Sequence, residues 1–249
     1  MTGTAKQGRE DCFMYRDVIG IVGGMGSFAT LGFYQRLLQA FPAKKEWERP
    51  HIVVDNFCTM PSRVRAILYD EDTERLKRML CASVDMMRQA WQEQDGKLYV
   101  ILACNTAHYF LPYLSEHFSD VIFVNILQLC ADAIRRAHCD EVWVLASEGT
   151  VATRMYDHYL EDVRVQYPEQ QMREIRAFIE VVKQQPEIPE ESIEAFHAFL
   201  ESAPVSDVVL GCTELPVLYQ SIVQNGLPLS VRIFDPLEEA IRVLQQQIS

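Results

Sequence analysis

Two cysteines in matching surroundings are the residues best placed for chemistry in this chain. Cys104 follows the apolar run Val100-Ile101-Leu102-Ala103 and opens onto Asn105-Thr106. Cys212 follows Val208-Val209-Leu210-Gly211 and opens onto Thr213-Glu214. Each context reads as a strand, then a small residue, then a sulfur, then polar residues that begin a helix. In open α/β sheets, ligands sit in the crevice beyond the carboxyl ends of the strands. A helix N-terminus there offers free backbone N–H groups and a positive potential, and both lower a thiol pKa from about 8.5 toward neutrality. Asn105, Thr106 and Thr213 add side-chain hydrogen-bonding groups beside the sulfurs. A thiolate on one side of a cleft and a thiol on the other form a general base and a general acid. Facing each other across one carbon, they would remove a proton from one face and return one to the other, an inversion that needs no redox cofactor. The plainer reading of a single strand-end cysteine is a small buried hydrophobe. The repeated context favours the pair.

These strand ends need a scaffold, and the pattern along the chain supplies one. Val18-Ile19-Gly20-Ile21-Val22 is a short buried-strand pattern, broken by Gly23-Gly24-Met25-Gly26 and followed by a helical stretch to about Phe41. Strand patterns recur at Ile52 to Phe57, Leu98 to Ala103, Val121 to Val124, Glu141 to Ala146, Val208 to Leu210 and Ile233-Phe234. Between them lie helical patterns, among them Asp72 to Gln94 with Leu76, Met79, Leu80, Val84 and Met87 on one stripe. Others are Ile126 to Ala137, Thr150 to Leu160, Arg173 to Lys183, Glu190 to Ser202, Leu215 to Asn225 and Pro236 to Gln247. Near-continuous apolar strands alternating with helices indicate parallel sheets covered on both faces. The cysteine echo, at close to half the chain length, indicates an α/β fold of two similar halves. Residues 1–16 read as a loose polar tail.

Composition narrows the function classes. At 49% hydrophobic and 23% charged, the 249-residue chain is an ordinary globular protein with enough length for a full core. Its net charge of −12 argues against nucleic acid or a membrane surface as partner. No run of apolar residues is long enough to span a bilayer, and the start lacks the apolar segment of a secretory signal. The seven cysteines are scattered, with no CxxC pair, which indicates reduced thiols and a cytoplasmic setting. Cys81 and Cys130 fall within helical patterns and read as core. The six histidines show no metal-binding spacing, so no metal is expected.

Three motifs, Gly23-Gly24-Met25-Gly26, Ala103-Cys104-Asn105-Thr106-Ala107-His108 and Gly211-Cys212-Thr213-Glu214-Leu215, together resemble the aspartate/glutamate racemase family, and most of all its aspartate racemases. These are amino-acid racemases that work without pyridoxal phosphate. The resemblance runs from about Val18 to Leu244. It implies two α/β domains facing each other across the active-site cleft, with Cys104 and Cys212 as the acid–base pair and no cofactor. It implies a domain at 17–125 completed by 230–249, and an inserted domain at 126–229, so that the last strand and helix return to the first. It also implies a homodimer and a small acidic amino acid as substrate. The α-carboxylate would meet Asn105, Thr106 and Thr213, with backbone N–H groups near Met25. Pro61-Ser62-Arg63 matches the family arrangement in which an Arg offers a planar fork to the side-chain carboxylate. Aspartate racemases usually add a Lys from a helix of the second domain. The corresponding stretch here is Met172-Arg173-Glu174-Ile175-Arg176-Ala177-Phe178, which gives that place to Arg176, with Arg173 the other candidate. Ser27 stands where Pro is usual.

Rival readings keep part of this pattern. Related folds include hydantoin racemases, maleate isomerases and a decarboxylase that usually carries one of the two cysteines. Gly24-Met25-Gly26-Ser27-Phe28-Ala29 fits GxGxxG/A after a strand, with Asp55 ending the next strand, so an NAD-binding or amino-acid-binding module without turnover is the non-catalytic alternative. The same glycines serve a tight strand-to-helix turn whose N–H groups face a carboxylate. His108 either contacts the site or caps its helix, and Glu214 reads as a first-turn acid favoured by the helix dipole.

Overall fold

The computed structural model describes residues 15–92, 95–184 and 187–248. The chain runs β1 (Val18–Gly23), α1 (Ser27–Ala40), β2 (His51–Asn56), α2 (Arg63–Tyr69), α3 (Thr73–Trp91), β3 (Leu98–Leu102), α4 (Leu111–His117), β4 (Ile122–Val124) and α5 (Ile126–Arg136). It continues through β5 (Glu141–Ala146), α6 (Glu148–Ala152), β6 (Arg164–Gln166), α7 (Met172–Gln184), α8 (Glu190–Glu201), β7 (Asp207–Gly211), α9 (Leu215–Gln224), β8 (Arg232–Phe234) and α10 (Pro236–Gln247). The strands form two parallel four-stranded sheets, ordered β2-β1-β3-β4 and β6-β5-β7-β8. The second order repeats the first, so β3 and β7, the two strands that carry the cysteines, occupy equivalent places. The α/β class and the twofold repeat expected from sequence are both present.

Burial explains why the strands lack polar residues. β1, β3 and β7 are buried along their whole length, because helices cover both faces. One core lies between the two sheets. It joins Ile19, Ile21 and Ile101 of the first sheet to Val142, Val144 and Val209 of the second, with Phe33 and Leu37 of α1 and residues of α5 and α10. A second core fills the outer face of the first sheet against α3, whose stripe of Leu76, Leu80, Val84 and Met87 is fully buried. Each such side chain contributes about 1.5–3 kcal/mol of burial. The third core packs α7, α8 and α9 on the outer face of the second sheet.

Two expectations are corrected here. The last strand does not return to the first half: β8 pairs with β7, Val208 opposite Ile233, and so completes the second sheet. The repeat accounts for this, because β4 and β8 are the fourth strands of their halves. Each runs into a crossover helix through a capping side chain. Asn125 accepts from the N–H groups of Leu127 and Gln128, and Asp235 from that of Leu237. Of this C-terminal segment, α10 and its cap Asp235 reach back to the first half, through the Arg36–Asp235 ion pair and a bond from Gln245 to the carbonyl of Ala40. The second correction concerns Thr150 to Leu160, where the helix stops at Ala152 and turns follow. Arg154 takes the left-handed conformation at φ 46°, which ends a helix, and the fully buried Tyr156 is drawn inward. Of the tail expected at 1–16, residues 1–14 lie outside the described residues, and Tyr15 packs edge-on against Phe41.

Candidate active site

Cys104 and Cys212 sit at the carboxyl ends of β3 and β7 and are 8% and 9% exposed. The two strand ends meet directly: the Thr213 hydroxyl donates to the carbonyl of Ala103 at 3.3 Å. The residues beside the two sulfurs are therefore hydrogen-bonded to each other across the two halves. The sulfurs also lie close enough that a charge on Cys104 opposes one on Cys212.

The two thiols differ in surroundings. The Cys212 S–H donates to Glu214 Oε2 at 3.0 Å. Burial, then the Glu214 charge and hydrogen bond, then Cys104 push the Cys212 thiol well above its ordinary range, with Lys183 pulling the other way. This reverses the helix-terminus expectation for Cys212. The residue stands ahead of Glu214, the cap of α9, so the nearest full charge is negative. Glu214 is itself 2% exposed, and its second oxygen, Oε1, has no hydrogen-bond partner.

That unpartnered oxygen explains a glycine. A Cβ on Gly26, at φ +155°, would stand 2.2 Å from Glu214 Oε1. Gly24, at φ +78°, is pressed against the chain after β2, where a Cβ would come within 2.3 Å of the Phe57 nitrogen. Thr30 fixes this turn by accepting from the Gly24 N–H and donating to the Gly26 carbonyl. Both glycines of the GxGxxG-like run thus have reasons within the protein itself.

The polar residues after Cys104 are held by the second half. Asn105 Oδ1 accepts from the Tyr156 hydroxyl at 2.7 Å, while its buried Nδ2 has no partner. The Thr106 hydroxyl lies 2.7 Å from that of Ser147 and 3.1 Å from that of Thr150, on the segment that starts α6. α2 packs on α6, and α1 on α7 and α9, so the halves are joined around the cleft. His108 holds both the site and the scaffold. Its Nε2 accepts from the Ile126 N–H at the start of α5, so Nδ1 carries the proton and donates to the Cys104 carbonyl at 2.9 Å. Burial lowers its pKa to about 4, which keeps the ring neutral and argues against a role as proton carrier.

Arg63 enters from the start of α2. Its guanidinium donates to the carbonyls of Pro61 and Met25 at 3.0 and 3.1 Å, and its buried Nε has no partner. Among the described residues it has no carboxylate partner, so its charge is available. A Met25 carbonyl 3.1 Å away ties this cation to the turn that faces Glu214.

The sequence profile of the Asp/Glu/Hydantoin racemase family matches residues 22–244, which is most of the chain. The chain belongs to this family. A glutamate racemase of Herpetosiphon aurantiacus is 30% identical over 161 residues, covering 63% of this chain and 62% of the relative, so the chain spans about three fifths of that protein. Among solved structures, an aspartate racemase of Picrophilus torridus superposes with a TM-score of 0.72 at 21% identity, covering 92% of this chain and 93% of its own. A glutamate racemase of Bacillus anthracis superposes at 0.61 with 20% identity, covering 93% of this chain and 82% of its own. These structural likenesses carry the fold.

In this racemase-family protein the α7 cation that interacts with Cys212 and Glu214 is Lys183. Arg176 points to the surface, 64% exposed, and pairs with Glu148. Lys183 lies two turns further along the same stripe of α7, about 10 Å away along the axis. Burial draws the Lys183 ammonium down, but Glu214, Cys212 and Glu180 together raise it above its ordinary pKa. The seven-residue spacing from Arg176 to Lys183 is the sequence signal that places both on one stripe of the helix. Arg173, like Arg176, belongs to the N-terminal part of α7. Thr150 and Tyr156 stand in a segment that reads as plain helix, and Ser147 stands between that segment and the preceding strand, so none of them carries a sequence signal of its own. Ser27 meets Cys58, with the two side chains 3.1 Å apart and Asn56 Nδ2 donating to both, at an exposed edge of the Gly24–Gly26 turn. Among the described residues, no group of three or more His, Cys, Asp or Glu is placed to hold a metal ion, and no helix is long and apolar enough to cross a membrane.

Proposed function

We propose that this protein interconverts the enantiomers of a small acidic amino acid, aspartate first and glutamate second, by proton transfer between Cys104 and Cys212 without pyridoxal phosphate. The observation that supports the reading is the Thr213–Ala103 hydrogen bond, which joins the residue after one strand-end cysteine to the residue before the other. Two cations support an acidic substrate, although Lys183 also donates to Glu180 at 3.2 Å. Arg63 has a free charge beside the Met25 turn, and Lys183 lies within the field of Glu214 and Cys212. Arg63 and Lys183 would hold the side-chain carboxylate, and Asn105 Nδ2, with backbone N–H groups near Met25, the α-carboxylate.

The asymmetry of the thiols gives the order of events. Cys212 rests as a thiol donating to Glu214, which leaves Cys104 as the sulfur that takes the α-hydrogen as a proton in this direction. The electron pair left behind moves from the C–H bond into the α-carboxylate as an enediolate, stabilised by the donors around it. The Cys212 thiol then delivers its proton to the opposite face of the carbon and becomes a thiolate. In the reverse direction the roles exchange, and Glu214 is the adjacent group able to take up or return the Cys212 proton. Positioned general acids and bases of this kind are each worth about 10²–10⁴ in rate.

Proton NMR of the protein with L-aspartate, and separately L-glutamate, in deuterated buffer with no cofactor tests the reading. The expected result is loss of the α-proton signal with formation of the D-enantiomer, faster for aspartate. An α-proton that persists with both enantiomers of both amino acids overturns it.

A further inference from the structure

We propose that Tyr156 is a positioning residue, which sets the side-chain amide of Asn105 so that its N–H face, not its carbonyl, meets the substrate carboxylate. The proposal rests on the reading that an acidic amino acid binds between the cysteines.

An asparagine amide offers a donor at one end and an acceptor at the other, and only one end suits a carboxylate, which accepts alone. What decides the orientation is the partner of the other end. The Tyr156 ring is fully buried, and its hydroxyl has one hydrogen bond, to Asn105 Oδ1 at 2.7 Å. A buried phenolic proton needs an acceptor, and here that acceptor is the Asn105 carbonyl. Turning the amide over would set its N–H₂ group against the hydroxyl and leave the phenolic proton without a partner, at a cost of about 1–3 kcal/mol. The orientation is therefore fixed by chemistry, and Nδ2 is left buried and unpartnered. An unpartnered donor in that position lacks only an acceptor.

Tyr156 is in turn held from behind. Its own N–H donates to the Tyr167 hydroxyl at 3.3 Å, and that hydroxyl donates to Asp157 at 2.8 Å. Tyr156 comes from the turns after α6, whereas Asn105 belongs to the loop after β3. The second half of the fold thus dictates the hydrogen-bonding polarity of the first half's binding loop. This gives a reason for the early end of α6: a helix continued through residue 156 would place the ring elsewhere.

The test is the dissociation constant, by titration calorimetry, of L-aspartate and of its α-carboxamide, for the unaltered protein, Tyr156→Phe and Asn105→Asp. The α-carboxamide puts an N–H donor where the carboxylate has an acceptor. In the unaltered protein aspartate is preferred strongly. In Tyr156→Phe the amide is free to turn, so aspartate weakens about tenfold and its preference over the carboxamide narrows by at least tenfold. A merely structural tyrosine would weaken both ligands alike, and that result overturns the proposal, as does an unchanged preference. Should Tyr156→Phe not fold, Asn105→Asp decides. It keeps an acceptor for Tyr156 and exchanges the N–H₂ donor for a carboxylate. The buried charge lowers its melting temperature, and the folded variant, titrated well below that temperature, binds aspartate more than tenfold worse. Unaltered aspartate affinity in that variant overturns the proposal. Binding without α-proton exchange in the unaltered protein refutes the racemase reading alone, and no binding of either ligand refutes both.

Discussion

The Thr213 hydroxyl, 3.3 Å from the carbonyl of Ala103, joins the residue after one strand-end cysteine to the residue before the other. Neither half of the fold holds both cysteines. Each delivers one sulfur at the end of an equivalent strand, and the hydrogen bond removes the freedom of the two halves to slide past each other at that point. The hydroxyl is occupied by the protein in this arrangement, and Thr106 is likewise engaged with Ser147 and Thr150. Two of the residues expected to grip the substrate therefore also hold the cleft together.

Removing either sulfur separates two readouts. Cys104→Ala and Cys212→Ala should each lower racemisation by at least about 10³, from the loss of one general acid–base group. Because the two enantiomers are equal in energy, kcat/KM must fall equally in both directions. Deuterium wash-in has no such restriction. Each variant keeps one sulfur facing one side of the carbon, so Cys212→Ala should exchange the α-proton of one enantiomer and Cys104→Ala that of the other. Exchange of the same enantiomer by both variants would contradict the facing arrangement.

The two cations of α7 should separate sharply. Lys183→Ala removes the charge that interacts with Glu214 and Cys212, and KM for aspartate should rise about 10- to 100-fold, the range for losing a charged hydrogen bond. Arg176→Ala breaks an exposed pair with Glu148 and should change KM less than about twofold. Arg63→Ala should resemble Lys183→Ala, and Arg63→Lys should recover only part of the loss, since an ammonium lacks the planar fork. Steady-state kinetics on the purified variants reads all four values.

Much of this arrangement was legible in the sequence because it rests on short-range pattern. Apolar strands, helical stripes and the repeated strand–cysteine context each need only a few neighbouring residues. Apart from the Thr150–Leu160 helix, which stops at Ala152, the expected elements stand where the pattern places them, whereas the short polar strand Arg164–Gln166 gives no such pattern. What was not legible depends on pairing. β8 contains Ile233-Phe234, an apolar pair that suits either sheet, and only its register with β7 assigns it. The choice of Lys183 over Arg176 depends on which end of α7 points into the cleft. The raised pKa of Cys212 depends first on its burial, and then on Glu214 turning toward the sulfur and not toward the helix N–H groups, which a first-turn acid usually prefers.

Gly26→Ala tests the closeness of Glu214. The added methyl would stand 2.2 Å from Oε1 on a backbone at φ +155°, so either the turn or the carboxylate must move. A cost of about 1–3 kcal/mol follows for a side chain in that conformation, and activity should fall because Glu214 shifts from Cys212. Combining it with Glu214→Ala should recover part of the lost melting temperature but none of the activity. Full additivity of the two changes in stability would show that the contact does not matter.

His108 makes stability depend on pH in a defined window. Its folded pKa, about 4, lies below the ordinary value of 6.5, so the neutral ring is the form that the fold needs. The contribution is fully present above pH 6.5 and is lost as pH falls toward 4, because an unfolded chain takes up the proton first. At pH 5 about 2 kcal/mol should be missing, from one and a half pH units at about 1.4 kcal/mol each. The bond that fails is the one from the Ile126 N–H, because Nε2 takes the proton while Nδ1 goes on donating to the Cys104 carbonyl, so acid loosens the start of α5 first. Denaturant titration at pH 7.5 and pH 5 should show this difference in the unaltered protein. In His108→Gln, which is less stable at pH 7.5, the difference should shrink by about that amount. An equal loss in both proteins would assign the acid sensitivity to other groups.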